Sequence, residues 1–241
     1  STRRVPVSPW ATGKRPGMAE KDASPDASPD ASPDESPDPE VSAFTRSRRE
    51  RAVVEHARTR ARLLAAARDI VRRDGAFGLT VAVVAEVSGL TPMTVYRYFD
   101  GPTDMLYALS DETMQRIFAR IAELDQADRH FLDEIGRIAV EEFSSDSEVN
   151  RMTVLLAGTQ RFGPDVVDQV GLLVHEHLRV RLASGQVEFD DVELAARTII
   201  TYYRGALYSW AAGFYTDDQL GTEVASAIKA GFALGGGKEV G

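Results

Sequence analysis

The chain of 241 residues has room for one or two domains with a sizeable core, and its formal net charge is −9. Because it contains no cysteine, disulfide frameworks, thiolate catalysis and cysteine-based zinc sites are excluded. No apolar run approaches the roughly 20 residues that a membrane helix needs, so we expect a cytoplasmic protein without a membrane partner.

The charge is distributed unevenly along the chain. Residues 41–100 contain eleven arginines and six acidic residues, whereas residues 101–241 contain 12 basic and 23 acidic residues. A basic block inside an acidic chain suits a protein with one module that faces DNA and a second that does not. The negative net charge therefore does not exclude a nucleic-acid partner.

The first 41 residues are predicted to lie outside any folded domain. Eight of the eleven prolines occur before residue 40, and the tetrapeptide Ala-Ser-Pro-Asp occurs three times in tandem over residues 23–34. Such a segment has few apolar side chains to bury and stays extended and solvated. We therefore predict a disordered Pro/Asp-rich tail over residues 1–41.

Beyond residue 41 nearly every segment has helical periodicity, which predicts an all-α fold. An apolar stripe from Leu63 to Val71 ends at Gly75, and Thr80 and Thr91 are placed to cap two short helices. A longer helix follows Pro102. The later helices are marked by Phe131 with Ile138, Met152 with Leu155, Pro164, and the capping patterns Asp190–Glu193 and Thr216–Gln219.

Two features near the C-terminus do not fit a helix. Residues 187–189 resemble a strand but are too short to found a sheet. The glycine run at residues 235–237 resembles a phosphate loop, but residue 232 is Phe and residue 239 is Glu, so the spacing fails. We interpret this run as a frayed end.

Two short helices form a helix-turn-helix pattern over residues 79–99. They are joined at Gly89, which can adopt the positive φ angle that a tight turn requires. The outer face of the second helix, over residues 91–98, is free for a partner, and a helix of that size fits the major groove of DNA. The alternative is a helical hairpin with an ordinary solvated face.

The segment from Ala65 to Leu106 resembles the DNA-binding domain of TetR-family repressors. The resemblance is carried by Ala-Glu-Val-Ser-Gly-Leu-Thr at residues 85–91, Thr-Val-Tyr-Arg-Tyr-Phe at residues 94–99 and Asp-Met-Leu at residues 104–106. It departs from the family at Pro102, where a lysine is common, so one phosphate contact is lost or made by a neighbouring amide.

The resemblance implies two domains and a partner. Residues 42–106 would form a three-helix helix-turn-helix DNA-binding domain with a basic arm, and residues 107–241 a helical ligand-binding and dimerisation domain. The expected partner is double-stranded operator DNA, bound as an inverted repeat by a homodimer. No cofactor is expected.

The resemblance also implies a set of DNA-contacting residues: Thr80, Thr91, Met93, Thr94, Tyr96, Arg97 and Tyr98. The two tyrosines would contact phosphates, and Met93, Thr94 and Arg97 would reach base edges. The two capping threonines would present hydroxyls and helix N-terminal amides to the DNA backbone.

A basic arm precedes the first helix and includes Arg46, Arg48 and Arg49. Such an arm can reach DNA phosphates or the minor groove, as it does in some TetR-family proteins. The alternative is a solvated, charged start of a helix.

The helix from Asp191 to Phe214 carries a long apolar stripe with spacings of three and four residues. By resemblance it pairs with the last helix in a dimer interface. The expected interface residues are Tyr203, Leu207, Trp210, Phe214, Leu220, Val224 and Ile228. The alternative is a buried helix pair within one chain, made by the same residues.

A pocket for an unidentified small-molecule effector is also implied by the resemblance. Its candidate residues are soft or amphipathic side chains at inward-facing positions: Met114, Phe118, Phe143, Met152, His175 and Tyr202. Each of them could instead belong to the plain core. We interpret His175 as a pocket or core-edge histidine and His177 as exposed.

The predicted function is a DNA-binding transcriptional regulator, a repressor that a small molecule releases from its operator. Because His175 and His177 point to nearly opposite sides of a helix, they form no joint metal site, and we expect neither a metal nor an enzyme. Two alternatives stay open. One is a DNA-binding protein without a ligand, or an activator; the other is an enzyme or scaffold that uses the same fold.

Overall fold

The computed structural model describes residues 39–158 and 169–240, and these ranges are almost wholly helical. The helices are α1 (Pro39–Gly78), α2 (Val81–Ser88), α3 (Pro92–Tyr98), α4 (Pro102–Ile121), α5 (Phe131–Ser144), α6 (Ser147–Gly158), α7 (Gln169–Ala183), α8 (Val192–Ala211) and α9 (Asp217–Leu234). Two short strands are β1 (Val187–Glu188) and β2 (Lys238–Glu239). The predicted all-α class is confirmed. The predicted tail was residues 1–41, but α1 already begins at Pro39, so its last three residues are helical. Residues 1–38 and the predicted helix start at Pro164 lie outside the described residues.

Local capping chemistry sets the boundaries of α2 and α3. Thr80 accepts a hydrogen bond from the Val83 amide, and Thr91 accepts one from the Thr94 amide. Gly89 ends α2 with a φ of 64°, a left-handed conformation that favours glycine. These predicted boundaries are confirmed, and α2 and α3 form the expected helix-turn-helix.

The start of α8 differs by one residue from the prediction. Asp191 is the N-cap, and its side chain accepts a hydrogen bond from the Leu194 amide at 2.8 Å. The predicted capping pattern began at Asp190, whose backbone N–H instead donates to the Gly235 carbonyl oxygen. The pairing of Thr216 with Gln219 at the start of α9 is a complete capping box, as predicted.

Two apolar clusters hold the fold together. The first is built from helices α1, α2, α3 and α4 and includes Leu63, Ile70 and Val95. Val149 of α6 also belongs to it. The second is built from α4 to α9 around Trp210. Helix α4 contributes to both clusters, because its first half faces the first cluster and its second half faces the second.

The C-terminal glycine run is ordered, so its interpretation as a frayed end was wrong. Strand β2 pairs antiparallel with β1, with Val187 opposite Glu239. Gly235 lies against α8, where an added Cβ would meet the Ala195 Cβ at 2.6 Å. The run therefore turns tightly over the start of α8. The strand pair joins residues about 50 positions apart, so no local pattern could predict it.

Of the two histidines of α7, His177 differs from its predicted position. His177 is 1% exposed, and its ring stacks on Phe131 with the centroids 4.9 Å apart. His175 is partly buried, with 30% of its side chain exposed, and its Nδ1 is 3.3 Å from Glu193 Oε2. The helix is rotated so that residue 177 faces α5, which corrects the interpretation of His177, whereas His175 lies at the edge of the core.

His177 is expected to make stability depend on pH. Burial lowers its pKa below the ordinary 6.5, with a smaller opposing effect from Nδ1, which lies 2.8 Å from the Gln126 carbonyl oxygen. Arg181 lowers this pKa further. The folded protein therefore keeps the ring neutral where the unfolded chain binds a proton. The stabilisation is complete above pH 6.5 and is lost as the pH falls towards the folded pKa.

We expect the free energy of unfolding to fall between pH 7 and pH 5, with His177 contributing a slope of at most about 1.4 kcal/mol per pH unit. Urea titrations at several pH values should show a smaller slope for His177→Gln. His130→Gln is the control, because that side chain is 60% exposed. An unchanged slope in His177→Gln would contradict the assignment.

Candidate nucleic-acid interface and buried cavity

Helix α3 is anchored by one face and presents the other to solvent. Val95 and the following Phe99 are buried in the first apolar cluster. On the opposite face Met93 is 78% exposed and Tyr96 is 56% exposed, and Arg97 lies beside them. Helix α3 contains no acidic residue. An exposed face with a cation and flat or flexible side chains, and without carboxylates, is chemically suited to a polyanion.

The remaining predicted contact residues border this face. Thr80 and Thr91 are exposed at the N-termini of α2 and α3, and Thr94 is partly buried. The Thr91 and Thr94 hydroxyl oxygens lie 2.9 Å apart, so capping and mutual hydrogen bonding hold both side chains. Tyr98 is partly buried, with the Arg97 guanidinium carbon 5.3 Å from its ring centroid.

Helix α1 supports the C-terminal end of α3. The His56 ring lies 4.6 Å from the Tyr98 ring, and the Arg60 guanidinium carbon lies 5.5 Å from the centre of the Phe99 ring. Helix α1 covers 40 residues but breaks at Gly75, where φ is 70°, and residues 50–58 are exposed. Its continuous part, residues 39–74, spans roughly 54 Å. Its N-terminal half therefore continues well past α3.

The predicted arm does not precede the first helix, because its residues belong to the N-terminal half of α1. Arg48 is exposed to solvent. The side chains of Arg46 and Arg49 are outside the described part of the chain, although both residues belong to α1. Arg58 and Arg62 line a shallow groove further along the helix, next to Glu55. The basic residues therefore follow the helix from its exposed half towards α2.

A partly open cavity lies in the second apolar cluster, between α4, α5, α7, α8 and α9. Its volume is about 50 Å³. It is lined by Met114, Ile117, Ile121, Leu132, Ile135, Gly136, Ala139, Val170, Leu173, Val174, Ile199, Ile200, Tyr203, Val224, Ala227 and Ile228.

Of the six predicted pocket residues, Met114 lines this cavity and the other five lie elsewhere. Phe118 packs against the second cluster, Phe143 lies beside Trp210, and Met152 packs against the first cluster. His175 is partly buried beside Glu193, and the exposed Tyr202 hydroxyl donates to Glu223 at 2.6 Å. Sequence reasoning assigned Tyr203 to the dimer interface and missed it as a cavity residue, although it shares a helix face with Ile199 and Ile200.

The predicted dimer stripe mostly faces the core of its own chain. Trp210 and Leu220 are 0% and 1% exposed within a single chain, and Val224 is also buried. Tyr203, Leu207 and Ile228 are partly buried against the same cluster, and Phe214 is 79% exposed. The burial of Trp210, Leu220 and Val224 corrects their assignment to a surface between chains. Spacing identifies an apolar face but not the element that covers it.

Polar contacts tie the two apolar clusters together. Arg68 of α1 donates to Glu112 of α4 at 2.6 Å, and Arg72 donates to Asp146, just before α6, at 2.9 Å. The Thr113 hydroxyl donates to the Asn150 amide oxygen at 2.9 Å in the interior. These contacts connect α4 to α6, and they connect α4 and the start of α6 to α1, which supports α3.

Solved structures share this architecture. A protein from Syntrophomonas wolfei assigned to the TetR family of transcriptional regulators superposes with a TM-score of 0.55 at 17% identity, covering 75% of this chain and 96% of that one. The SmeT–triclosan complex superposes with a TM-score of 0.50 at 19% identity, covering 73% of this chain and 90% of that one. No protein-family model matches the sequence, and no curated protein matches it.

The chain therefore has the fold of TetR-family transcriptional regulators, which confirms at the level of the fold the resemblance found at residues 65–106. Across residues 39–158 and 169–240, no helix combines the length and the apolar character needed to cross a membrane.

Proposed function

We propose that this protein is a DNA-binding transcriptional regulator, a repressor that binds an inverted-repeat operator as a homodimer and is released by a small molecule. The observation that carries the proposal is the exposed, acid-free face of α3, supported by the basic helix α1. Residues 42–106 would form most of the DNA-binding domain and residues 107–241 the regulatory domain, preceded by a tail that ends where α1 begins at Pro39. Selection of bound sequences from random DNA tests this function.

Within this proposal α3 is the recognition helix. Met93, Thr94 and Arg97 would reach base edges in the major groove, and Tyr96 and Tyr98 would contact phosphates on either side. Thr80 and Thr91 would place the first turns of α2 and α3 against the DNA backbone. Both hydroxyls already cap their helices, so these side chains are preorganised for that contact.

The N-terminal half of α1 would supply affinity that does not depend on sequence. We expect replacement of Arg46, Arg48 and Arg49 by glutamine to reduce the slope of log affinity against log salt by about 2 to 3, since each phosphate contact contributes about 0.9. Fluorescence anisotropy with random duplex DNA at several salt concentrations measures the slope. An equal slope in both proteins would mean that these arginines are only solvated.

The dimer surface would be formed by the exposed faces of α8 and α9, in place of the buried stripe. On α8 this face includes Thr201, Gly205 and Tyr208, and on α9 it includes Thr222 and Ala225. A Cβ added at Gly205 would meet nothing within 4 Å in the single chain, so another helix could approach closely there. Phe214, at the turn between the helices, extends the same surface.

We expect Gly205→Glu to convert the dimer into a monomer, because it places a charge in a close helix contact. Sedimentation equilibrium measures the mass. Ala119→Glu is the control, since Ala119 is exposed on α4, away from this face. A monomeric parent protein, or a Gly205→Glu variant that stays dimeric, would contradict the proposed surface.

The effector would bind in the cavity of the second cluster. The neighbour SmeT was solved with triclosan, a small molecule. Here the cavity walls include α4, and α4 also contributes Met105 and Leu109 to the cluster that holds α3. A ligand that spreads the cavity walls would shift α4 and change the position of α3, provided that it binds the two arrangements with different affinity.

A further inference from the structure

The walls of the cavity are distinctive for their lack of charge. No described lining residue carries a charged side chain, and fifteen of the sixteen are aliphatic, methionine or glycine. A charged molecule moved from water into such surroundings would lose its hydration without gaining a partner, which is strongly unfavourable. The walls therefore select against ionic ligands.

The remaining lining residue, Tyr203, provides the hydroxyl of this cavity. Its neighbour Tyr202 is exposed and donates its hydroxyl to Glu223. Among the described residues, none makes a hydrogen bond with the Tyr203 hydroxyl. Burial raises the pKa of Tyr203 to about 12, so the hydroxyl stays protonated and can donate throughout the physiological range.

The cavity can also enlarge. Its volume of about 50 Å³ is smaller than the roughly 300 Å³ at which ligand pockets begin. Met114, Ile135 and Ile228 line it but are only partly buried, so these side chains can change conformation without displacing fully buried residues. Methionine adapts to changed shapes especially well.

We propose that this cavity takes an uncharged, largely apolar small molecule with one hydrogen-bond acceptor, and that Tyr203 donates to that acceptor. The proposal deepens the proposed function, on which it rests, because this molecule would be the effector. It assigns the orienting role to Tyr203 and leaves Tyr202 outside the site.

The test uses the full-length protein without DNA and three probes of one shape: 2-acetylnaphthalene, 2-ethylnaphthalene and 2-naphthoate. The first carries an acceptor, the second carries none, and the third is an anion. Calorimetry should show that 2-acetylnaphthalene binds and that 2-naphthoate binds at least tenfold more weakly. Tyr203→Phe should weaken the binding of 2-acetylnaphthalene about three- to tenfold and leave the affinity for 2-ethylnaphthalene unchanged.

Two further variants show where the probes bind. Ala139→Leu fills the cavity and should abolish binding of both uncharged probes, whereas Ala119→Leu, on the exposed face of α4, should not. Tyr202→Phe should leave all affinities unchanged. Equal binding of 2-naphthoate, an equal loss of both uncharged probes in Tyr203→Phe, or no binding of any probe would overturn the proposal. Binding with the Tyr203 signature but without an effect on operator affinity would instead refute ligand release alone.

Discussion

Replacing Trp210 with alanine is expected to lower the free energy of unfolding by about 3–5 kcal/mol. The side chain is 0% exposed, and its ring centroid lies 6.0 Å from that of Phe143. Its indole N–H donates to Asp217 at 2.7 Å, and the Arg151 guanidinium carbon lies 4.5 Å from the ring centroid. Truncation leaves a cavity and removes one partner from each of these polar groups.

The polar groups around Trp210 join three helices. Arg151 of α6 donates to the Trp210 carbonyl oxygen and to Asp217 of α9, and Ser147 donates to Asp217 at 2.7 Å. Burial opposes ionisation of Asp217, but the hydrogen bonds from Trp210, Ser147 and Arg151 outweigh it and hold its pKa below the ordinary 3.8. Trp210 is therefore part of the contact between α6, α8 and α9.

Urea denaturation followed by far-ultraviolet circular dichroism measures this loss. Phe77→Ala is the control, because Phe77 is fully exposed and its replacement should change stability by no more than about 0.5 kcal/mol. If Trp210 instead lay between two chains, its replacement would weaken self-association and leave the stability of the single chain largely intact. That outcome would contradict the burial described above.

Replacing Arg97 with alanine is expected to weaken operator binding by about 1–3 kcal/mol and to affect random DNA much less. Arg97 lies on the exposed face of α3, and its guanidinium is positioned over the Tyr98 ring. If the guanidinium contacts a base, its removal weakens binding only to the cognate sequence. If it contacts only phosphate, its removal weakens binding equally to every sequence.

Anisotropy titrations with operator and random duplexes distinguish the two roles. Arg179→Ala is a matched control for the loss of one positive charge, because Arg179 is 61% exposed on α7 and pairs with Glu193. It should leave both affinities nearly unchanged. If Arg97→Ala weakened binding to both duplexes equally, Arg97 would not read a base.

Features that depend on residues close together in the sequence could be predicted. The helix-turn-helix depends on Thr80, Gly89 and Thr91, whose capping and turn roles act within three or four residues of each. The exposed and buried faces of α3 follow in the same way, because Val95 and Phe99 are separated by one helical turn. This explains why the α2–α3 boundaries could be predicted more sharply than the cavity.

Features that depend on contacts between residues far apart in the sequence could not be predicted. The stripe on α8 was identified, but its spacing could not distinguish a surface between chains from the α6 and α9 contacts that bury Trp210. The cavity uses five helices, and the rotation of each decides whether Tyr202 or Tyr203 faces it. The same uncertainty about helix rotation led to the incorrect prediction that His177 is exposed.

Selection of bound duplexes from a random DNA library tests the central proposal most directly. The parent protein is expected to enrich inverted repeats whose half-sites are centred whole helical turns apart, about 34–36 Å for one turn. A variant with alanine at Met93, Tyr96 and Arg97 should enrich none. If the parent protein enriches no sequence, or if the variant enriches the same repeats, α3 is not a recognition helix and the proposed function is wrong.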